Sequence, residues 1–352
     1  MCVTIYMCVL EFYPRKGFIM NTIKLRQVLC ALLGTVICTT AAFSFSGCEN
    51  EKQDKNQSTS DTATNKVATA DTAISTDDEA NALTVLESLG INAASLDIEP
   101  SINQNNDIAV GYQLDNPNEG DTIAVIQTSM GDITIRFFPE LAPKTVTNFI
   151  NLAKQGSYDN TTFYRVIDDF MIQGGNPEQT SSYGADFEDE FSDKLFNIRG
   201  AVSMANSNRD TNTSQFFINQ KDAKAFKAEG GWTALEENWK SAKTQLINYK
   251  DSNLLSTFID QYGATCYDTE IVPDSVKALY DKNGGNAHLD GAYNAVDRGN
   301  TVFAQVIKGM DVVDKIASVK TDENDIPTED VVIEKIEIKT FSNSSDEISE
   351  NE

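Results

Sequence analysis

The chain has 352 residues, 40% of them apolar, and a formal net charge of −25 at neutral pH. So acidic a surface argues against nucleic-acid phosphates as a partner and against electrostatic attachment to anionic lipid, since both require a basic face. One histidine and a single cysteine beyond residue 48 leave no ligand cluster at metal spacing and no disulfide framework, so neither a metal nor a cofactor is expected.

In chain order, Met20-Asn-Thr-Ile-Lys-Leu-Arg26 carries two positive charges, and an apolar run from Val28 to about Ala42 follows. The run is too short for a spanning helix, which needs ~20 residues, and it has the layout of an export signal. Residues 1–47 are therefore read as a leader, with Met20 the expected start. Ser46-Gly47-Cys48 resembles a bacterial lipobox, in which the cysteine is acylated and becomes the mature amino terminus; Phe45 departs from the leucine usual there. Plain secretion is the alternative. Residues 48–79 are mostly Glu, Lys, Gln, Asp, Asn, Ser and Thr, a composition that reads as a disordered tether behind a lipid on Cys48.

Leucines at 83, 86 and 89 predict a short helix within Asn81–Leu96, in a helical or irregular pre-segment, 80–120. Alternation predicts strands over 122–127 and 133–137, joined by a hairpin at Ser129-Met-Gly-Asp132. Pro143 opens a helix with Val146, Phe149, Ile150 and Ala153 on one side, and Gly156 ends it. Strands follow at Phe163–Ile167, Gly200–Met204 and Gln215–Ile218. After them come Val302–Ile307, a helix at Met310–Ala317 and a last strand at Val331–Ile338. Many short strands need closure to remove edges, which predicts a mainly β fold: a closed antiparallel barrel capped by two helices. Residues 221–285 interrupt it with a strongly helical insertion. There Thr233-x-x-Glu236 forms a capping box, Leu254, Leu255, Phe258, Ile259 and Tyr262 make a second apolar face, and Pro273 starts a third helix that Gly284-Gly285 stop. Residues 342–352 read as an acidic disordered tail.

Chemistry concentrates in two blocks. Phe163-Tyr-Arg-Val-Ile-Asp-Asp-Phe-Met-Ile-Gln-Gly-Gly175 supplies an arginine, aromatics and an amide; Ser203-Met-Ala-Asn206 and Ser214-Gln-Phe-Phe-Ile218 supply more. A permanently charged, forked guanidinium beside apolar groups suits non-covalent charge stabilisation better than hydrolysis or redox work. With Gly131-Asp-Ile-Thr134, Ala142-Pro143, Phe187-Glu-Asp-Glu190, Leu289-Asp-Gly291 and Gly309-Met-Asp-Val-Val-Asp314 in the same order, the segment 121–341 resembles the cyclophilins, which are peptidyl-prolyl cis–trans isomerases.

The resemblance implies a cyclophilin-like barrel and catalysis by Arg165, Phe170, Gln173, Asn206 and Phe217. Met171, Ala205, Gln215, Leu289 and Asn300 would bind substrate, with Phe170, Met171, Phe217 and Leu289 lining the proline pocket and Gln173 and Gln215 holding the substrate amide and orienting Arg165. The substrate class would be unfolded or extended proline-containing polypeptide, handled without a cofactor outside the cytoplasm. Three departures are visible: Tyr164 where the family often has His, His288 where many members have Trp, and Asn300 near the place of a pocket His. The second implies weak cyclosporin binding. The third leaves open a non-catalytic chaperone or binding module, and the leader taken alone would also suit a solute-binding lipoprotein.

Overall fold

The computed structural model describes residues 82–342, apart from 97, 99–101, 104 and 106. The expected leader, Cys48, the tether and the tail beyond residue 342 lie outside the described residues.

The described chain begins with α1 (Ala82–Ser88), a 3-10 turn at Ala93–Leu96 and a two-residue strand β1 (Ile102–Asn103). Then come β2 (Thr122–Thr128), β3 (Gly131–Phe137) and α2 (Pro143–Lys154). The next strands are short: β4 (Thr161–Thr162), β5 (Arg165–Ile167), β6 (Met171–Gly174), β7 (Phe191–Ser192), β8 (Ala201–Met204) and β9 (Phe216–Asn219). Four helices follow, α3 (Ala223–Ala228), α4 (Gly231–Tyr249), α5 (Leu254–Tyr262) and α6 (Asp274–Asn283). The chain finishes with β10 (Val302–Lys308), α7 (Met310–Ala317) and β11 (Val332–Thr340).

Nine strands form one sheet in the order β4-β11-β2-β3-β10-β8-β9-β6-β5, and all its ladders are antiparallel. Its two edge strands, β4 and β5, are separated in sequence by Phe163 and Tyr164 alone, so the sheet has to curl until its edges stand beside each other. No ladder joins these edges among the described residues. The strand expected at Phe163–Ile167 therefore begins only at Arg165. Phe163 donates its N–H to Val331 and buries its ring, whereas Val166 donates to Asp325, so the chain changes partner between them.

Inside the curl, Ala124, Ile126, Ile133, Ile135, Val166, Ile172, Val202 and Ile218 are buried with the apolar faces of α2 and α7. Phe149 of α2 is the aromatic centre: its ring stands 5.1–5.7 Å from those of Tyr158, Phe303, Phe216 and Phe137. Those are the tilted and edge-on separations that add stabilisation beyond area burial.

The helical stretch packs as a satellite. Trp239, Ala242 and Leu246 of α4 and Leu255 and Ile259 of α5 share an apolar cluster with Val85 and Leu86 of α1. The pre-segment thus has a physical role that its sequence did not disclose, as the opposing face for the helices. Further on, the buried Gln113 donates to the Phe196 carbonyl and to Gln305 of β10, and accepts from the Phe196 N–H, which ties the pre-segment to the sheet. The expected capping box is not used. Helix α4 starts at Gly231 behind Gly230, whose φ of 100° is the left-handed turn that ends α3, and this puts Thr233 inside the first turn. Gly284 and Gly285 do stop α6, for a specific reason. A Cβ on Gly284 would lie 2.2 Å from the Asp222 carbonyl carbon, and one on Gly285 2.3 Å from the Asn197 oxygen, so only bare backbone lets the chain leave the helices and rejoin the sheet.

Candidate active site

Strand period 2 separates core from site. Val166, Ile172, Ile218 and Val202 point inward, and the alternate residues face outward in aligned rows: Arg165 pairs with Gln173, Gln173 with Phe217, and Phe217 with Ser203. One step along, Ile167, Met171 and Asn219 form the next outward row. The backbone pairing itself therefore brings together Arg165, Gln173, Phe217 and Met171. Phe217 and Met171 are buried although they face outward, and residues 286–301 return across this side of the sheet, where Asn286 donates to Asn219 and the Phe170 carbonyl. That returning segment contains Leu289 and Asn300; Asn300 donates its N–H to the Leu289 carbonyl and its side-chain amide to the Met204 carbonyl, at 2.9 Å each.

Arg165 is half-exposed and its Nε lies 3.7 Å from the Asp325 carboxylate, so the guanidinium is loosely held and free to meet a ligand. The two glutamines, which the resemblance implies orient Arg165, hydrogen-bond its neighbour Tyr164. Gln173 Nε2 donates to the Tyr164 hydroxyl at 2.8 Å, and that hydroxyl donates to Gln215 Oε1 at 2.5 Å. Burial raises the Tyr164 pKa, with Gln173 and Arg165 opposing it, which keeps the phenol protonated as a donor. Tyr164 is thus a bridge that the sequence reading treated only as a departure; its place directly before Arg165 was the available signal. Asp325 was also missed, since nothing in a chain with 53 acidic residues distinguishes it.

At one end of the rows Ala205 donates its N–H to the Gln215 carbonyl, and Asn206 donates its side-chain amide to Gly299 at 2.8 Å and to Asp189 at 3.2 Å. Asn206 therefore braces the returning segment in this structure. Gly175 closes the same end; its φ is 103°, and a Cβ there would meet the Ser214 oxygen at 2.6 Å, whereas Gly174 belongs to β6. At the other end, Phe170 lies near-parallel to His288, with the ring centroids 6.4 Å apart, and Lys221 Nζ sits 5.9 Å from the Phe170 ring centre. Burial pushes the His288 pKa down to about 4, with Lys221 adding in the same direction, so the imidazole is neutral near pH 7.

Beneath the pocket runs a buried polar chain. Tyr280 of α6 donates to Asp290 at 2.6 Å, and Asn197 donates to Asp290 from both backbone and side chain. The Asn197 oxygen accepts from Ser203 and Asn219, and Asn219 accepts from Asn286, whose amide also reaches the Phe170 carbonyl. Burial pushes Asp290 up to about 7, and Asp189 and Asp268 to about 6.

These carboxyls hold protons in the folded chain that the unfolded chain releases near pH 4, so stability falls as pH rises from about 4 to 7. His288 works in the opposite sense between about 4 and 6.5, as one group against three. The denaturant midpoint is expected to be higher at pH 5 than at pH 8, with a smaller difference in Asp290→Asn. Equal or reversed midpoints in the wild type would contradict this account.

An outward row carrying a half-exposed guanidinium, an amide relay and apolar side chains suits non-covalent work on a polypeptide better than nucleophilic chemistry. The sequence profile of the family described as cyclophilin type peptidyl-prolyl cis-trans isomerase/CLD matches residues 123–235 and 280–338. A Staphylococcus aureus protein, with the provisional description of a peptidyl-prolyl cis-trans isomerase, is 38% identical over 231 residues, covering 63% of this chain and 93% of that protein. A Streptococcus pyogenes protein, provisionally described as a bifunctional phosphatase/peptidyl-prolyl cis-trans isomerase, is 40% identical over 237 residues. That match spans 64% of this chain but only 40% of the streptococcal protein. A crystal structure of a cyclophilin type peptidyl-prolyl cis-trans isomerase from Cryptosporidium parvum matches with a TM-score of 0.40 and 22% identity, over 63% of this chain and 99% of that one. The chain belongs to the cyclophilin-type peptidyl-prolyl cis–trans isomerase family.

Proposed function

We propose that this chain rotates X-Pro amide bonds in unfolded or extended polypeptides outside the cytoplasm. The observation that carries the reading is the aligned outward row of Arg165, Gln173 and Phe217, with Met171 in the next row. Rotation about the amide is opposed by ~18–20 kcal/mol because the nitrogen lone pair is delocalised into the carbonyl. A guanidinium aimed at the prolyl nitrogen or the twisted carbonyl favours the rotated state, while an apolar pocket formed by Phe170, Met171, Phe217 and Leu289 grips the ring. An acceleration on the order of 10⁵ requires ~7 kcal/mol of such differential stabilisation. Gln173 and Gln215, fixed by Tyr164, present the amide end of the site, and Ala205, Asn206 and Asn300 flank the substrate chain. In a coupled protease assay the full chain is expected to accelerate cis–trans isomerisation of short X-Pro peptides; an unchanged rate across several peptides would overturn the reading.

The sheet acts as a barrel that its edge strands β4 and β5 close, and residues 221–285 are an insertion in it. The gap in the family match between residues 235 and 280 supports the second point. With His288 beside Phe170 in place of the family's Trp, cyclosporin binds weakly. A non-catalytic binding module is the second reading, favoured by Asn300 near the place of the family's pocket histidine and by the large insertion.

The leader and Ser46-Gly47-Cys48 support a lipid anchor, with residues 48–79 as a tether holding the domain at the outer side of a bacterial membrane. Metabolic labelling with a clickable fatty acid is expected to mark the wild type and not Cys48→Ser; label in both, or in neither, would remove the anchor.

A further inference from the structure

Next to the Phe170 end of the site is a cleft of about 250 Å³ that the described catalytic rows do not use. Its walls come from both sides of the helical insertion: Phe226 of α3 and Leu235 of α4 on one side, Ala287 and His288 from the returning chain on the other. This is smaller than the roughly 300–1,000 Å³ of pockets for cofactors and drug-sized ligands. It suits one or two side chains.

Three of its lining residues also touch Phe170. Lys221 places its ammonium near the ring, His288 lies near-parallel to it, and Asn286 donates to its carbonyl at 3.1 Å. The cleft therefore adjoins the Phe170 end of the site through these three residues. Direction follows from the strands. Gln215, next to Ala205, marks one end of β9, and Gln220, whose N–H meets the Phe170 carbonyl, marks the other. Those five strand steps span roughly 17 Å. A polypeptide lying along this groove with its proline over the middle has room for about two residues on either side, and those at the Phe170 end reach the cleft.

We infer that the cleft between α3, α4 and residues 285–288 is a specificity subsite that takes an apolar side chain from the same polypeptide, close in sequence to the proline being turned. The inference rests on the isomerase reading for its orientation. Its chemistry is its own: Phe226, Leu235 and Ala287 offer apolar surface. The Lys221 ammonium is already paired with Glu229 and so makes no net demand for an acidic ligand.

The test uses the full chain and two matched sets of X-Pro peptides, with leucine or alanine at each of three positions before and after the proline. Both kcat/KM and affinity by titration calorimetry are measured, and each is read as the leucine-to-alanine ratio. The wild type is expected to favour leucine at one position on one side by about ten-fold, and Asn238→Trp, which fills the mouth of the cleft from an exposed site on α4, is expected to bring that ratio below two. Ala234→Leu, from the adjoining turn, is expected to do the same. A wild-type ratio near one at every position, in rate and in affinity, would overturn the subsite, as would a preference that survives both variants. Peptides that bind with the leucine preference but are never isomerised would count against the isomerase reading and leave the subsite standing.

Discussion

Arg165→Ala is expected to lower kcat/KM for X-Pro isomerisation by about 10²–10³, the loss that follows removal of one preorganised donor to a developing charge. The fold should survive. Among the described residues Arg165 pairs with Asp325 alone, at 3.7 Å with both side chains 42% exposed, and pairs of that kind contribute no more than about 1 kcal/mol. Position 165 also keeps its place in β5, because the ladder to Gln173 is made by backbone. Arg165→Lys tests the geometry separately from the charge. An ammonium retains the charge but not the planar fork, so it is expected to recover only a small part of the loss. A folded Arg165→Ala protein with near-wild-type rates would remove the guanidinium from the mechanism.

Asn197→Ala is expected to produce the largest loss of stability, about 3 kcal/mol or more, although residue 197 touches no substrate position. Asn197 is fully buried and four of its hydrogen bonds reach three residues: its side-chain amide donates to Asp290, its oxygen accepts from Ser203 and Asn219, and its backbone N–H also donates to Asp290. Truncation leaves buried polar groups without partners, each costing about 1–3 kcal/mol, and removes a donor from a carboxyl already strained toward its neutral form by burial. Ser203 and Asn219 share the outward rows with Phe217 and Met171, so loss of the hub should also loosen the pocket. Chemical denaturation would report the stability change, and KM for a short X-Pro peptide would report the pocket. A shift below about 1 kcal/mol would mean that the chain of hydrogen bonds through Asn197 does not hold this face.

The strands were readable where one face is buried and the other is not. Ile133, Ile135 and Phe137 alternate with polar residues, and β3 forms on those residues. Helices α2 and α7 were readable from their apolar stripes, with Pro143 at the start of the first and Gly309 ahead of the second. What escaped depends on contacts between distant segments. β6 is four residues long and owes its strand state to partners on both sides, β5 and β9. The capping pattern at Thr233 was overridden because α3 ends at a left-handed glycine that starts the next helix earlier. The order of landmarks in the sequence points to Arg165, Gln173 and Phe217, and the backbone register aligns them in one row.

The polar supports were illegible for a different reason. Asp290 was visible only as part of Leu289-Asp-Gly291, and its burial against Tyr280 and Asn197 depends on the helical segment returning through Gly284-Gly285. Asp189, Asp325 and Tyr164 likewise acquire roles only from their neighbours in space. Composition cannot separate a buried acid from a solvated one.

Turning the X-Pro bond, rather than merely holding it, is what separates an isomerase from a binding module at this site. Exchange spectroscopy by NMR on a short X-Pro peptide, with a small fraction of the full chain added, measures that directly. Cross-peaks between the cis and trans proline signals, absent for the peptide alone and strongly reduced with Arg165→Ala, are the predicted result. Shifted or broadened peptide signals without cis–trans cross-peaks would contradict it and would make the chain a binding module.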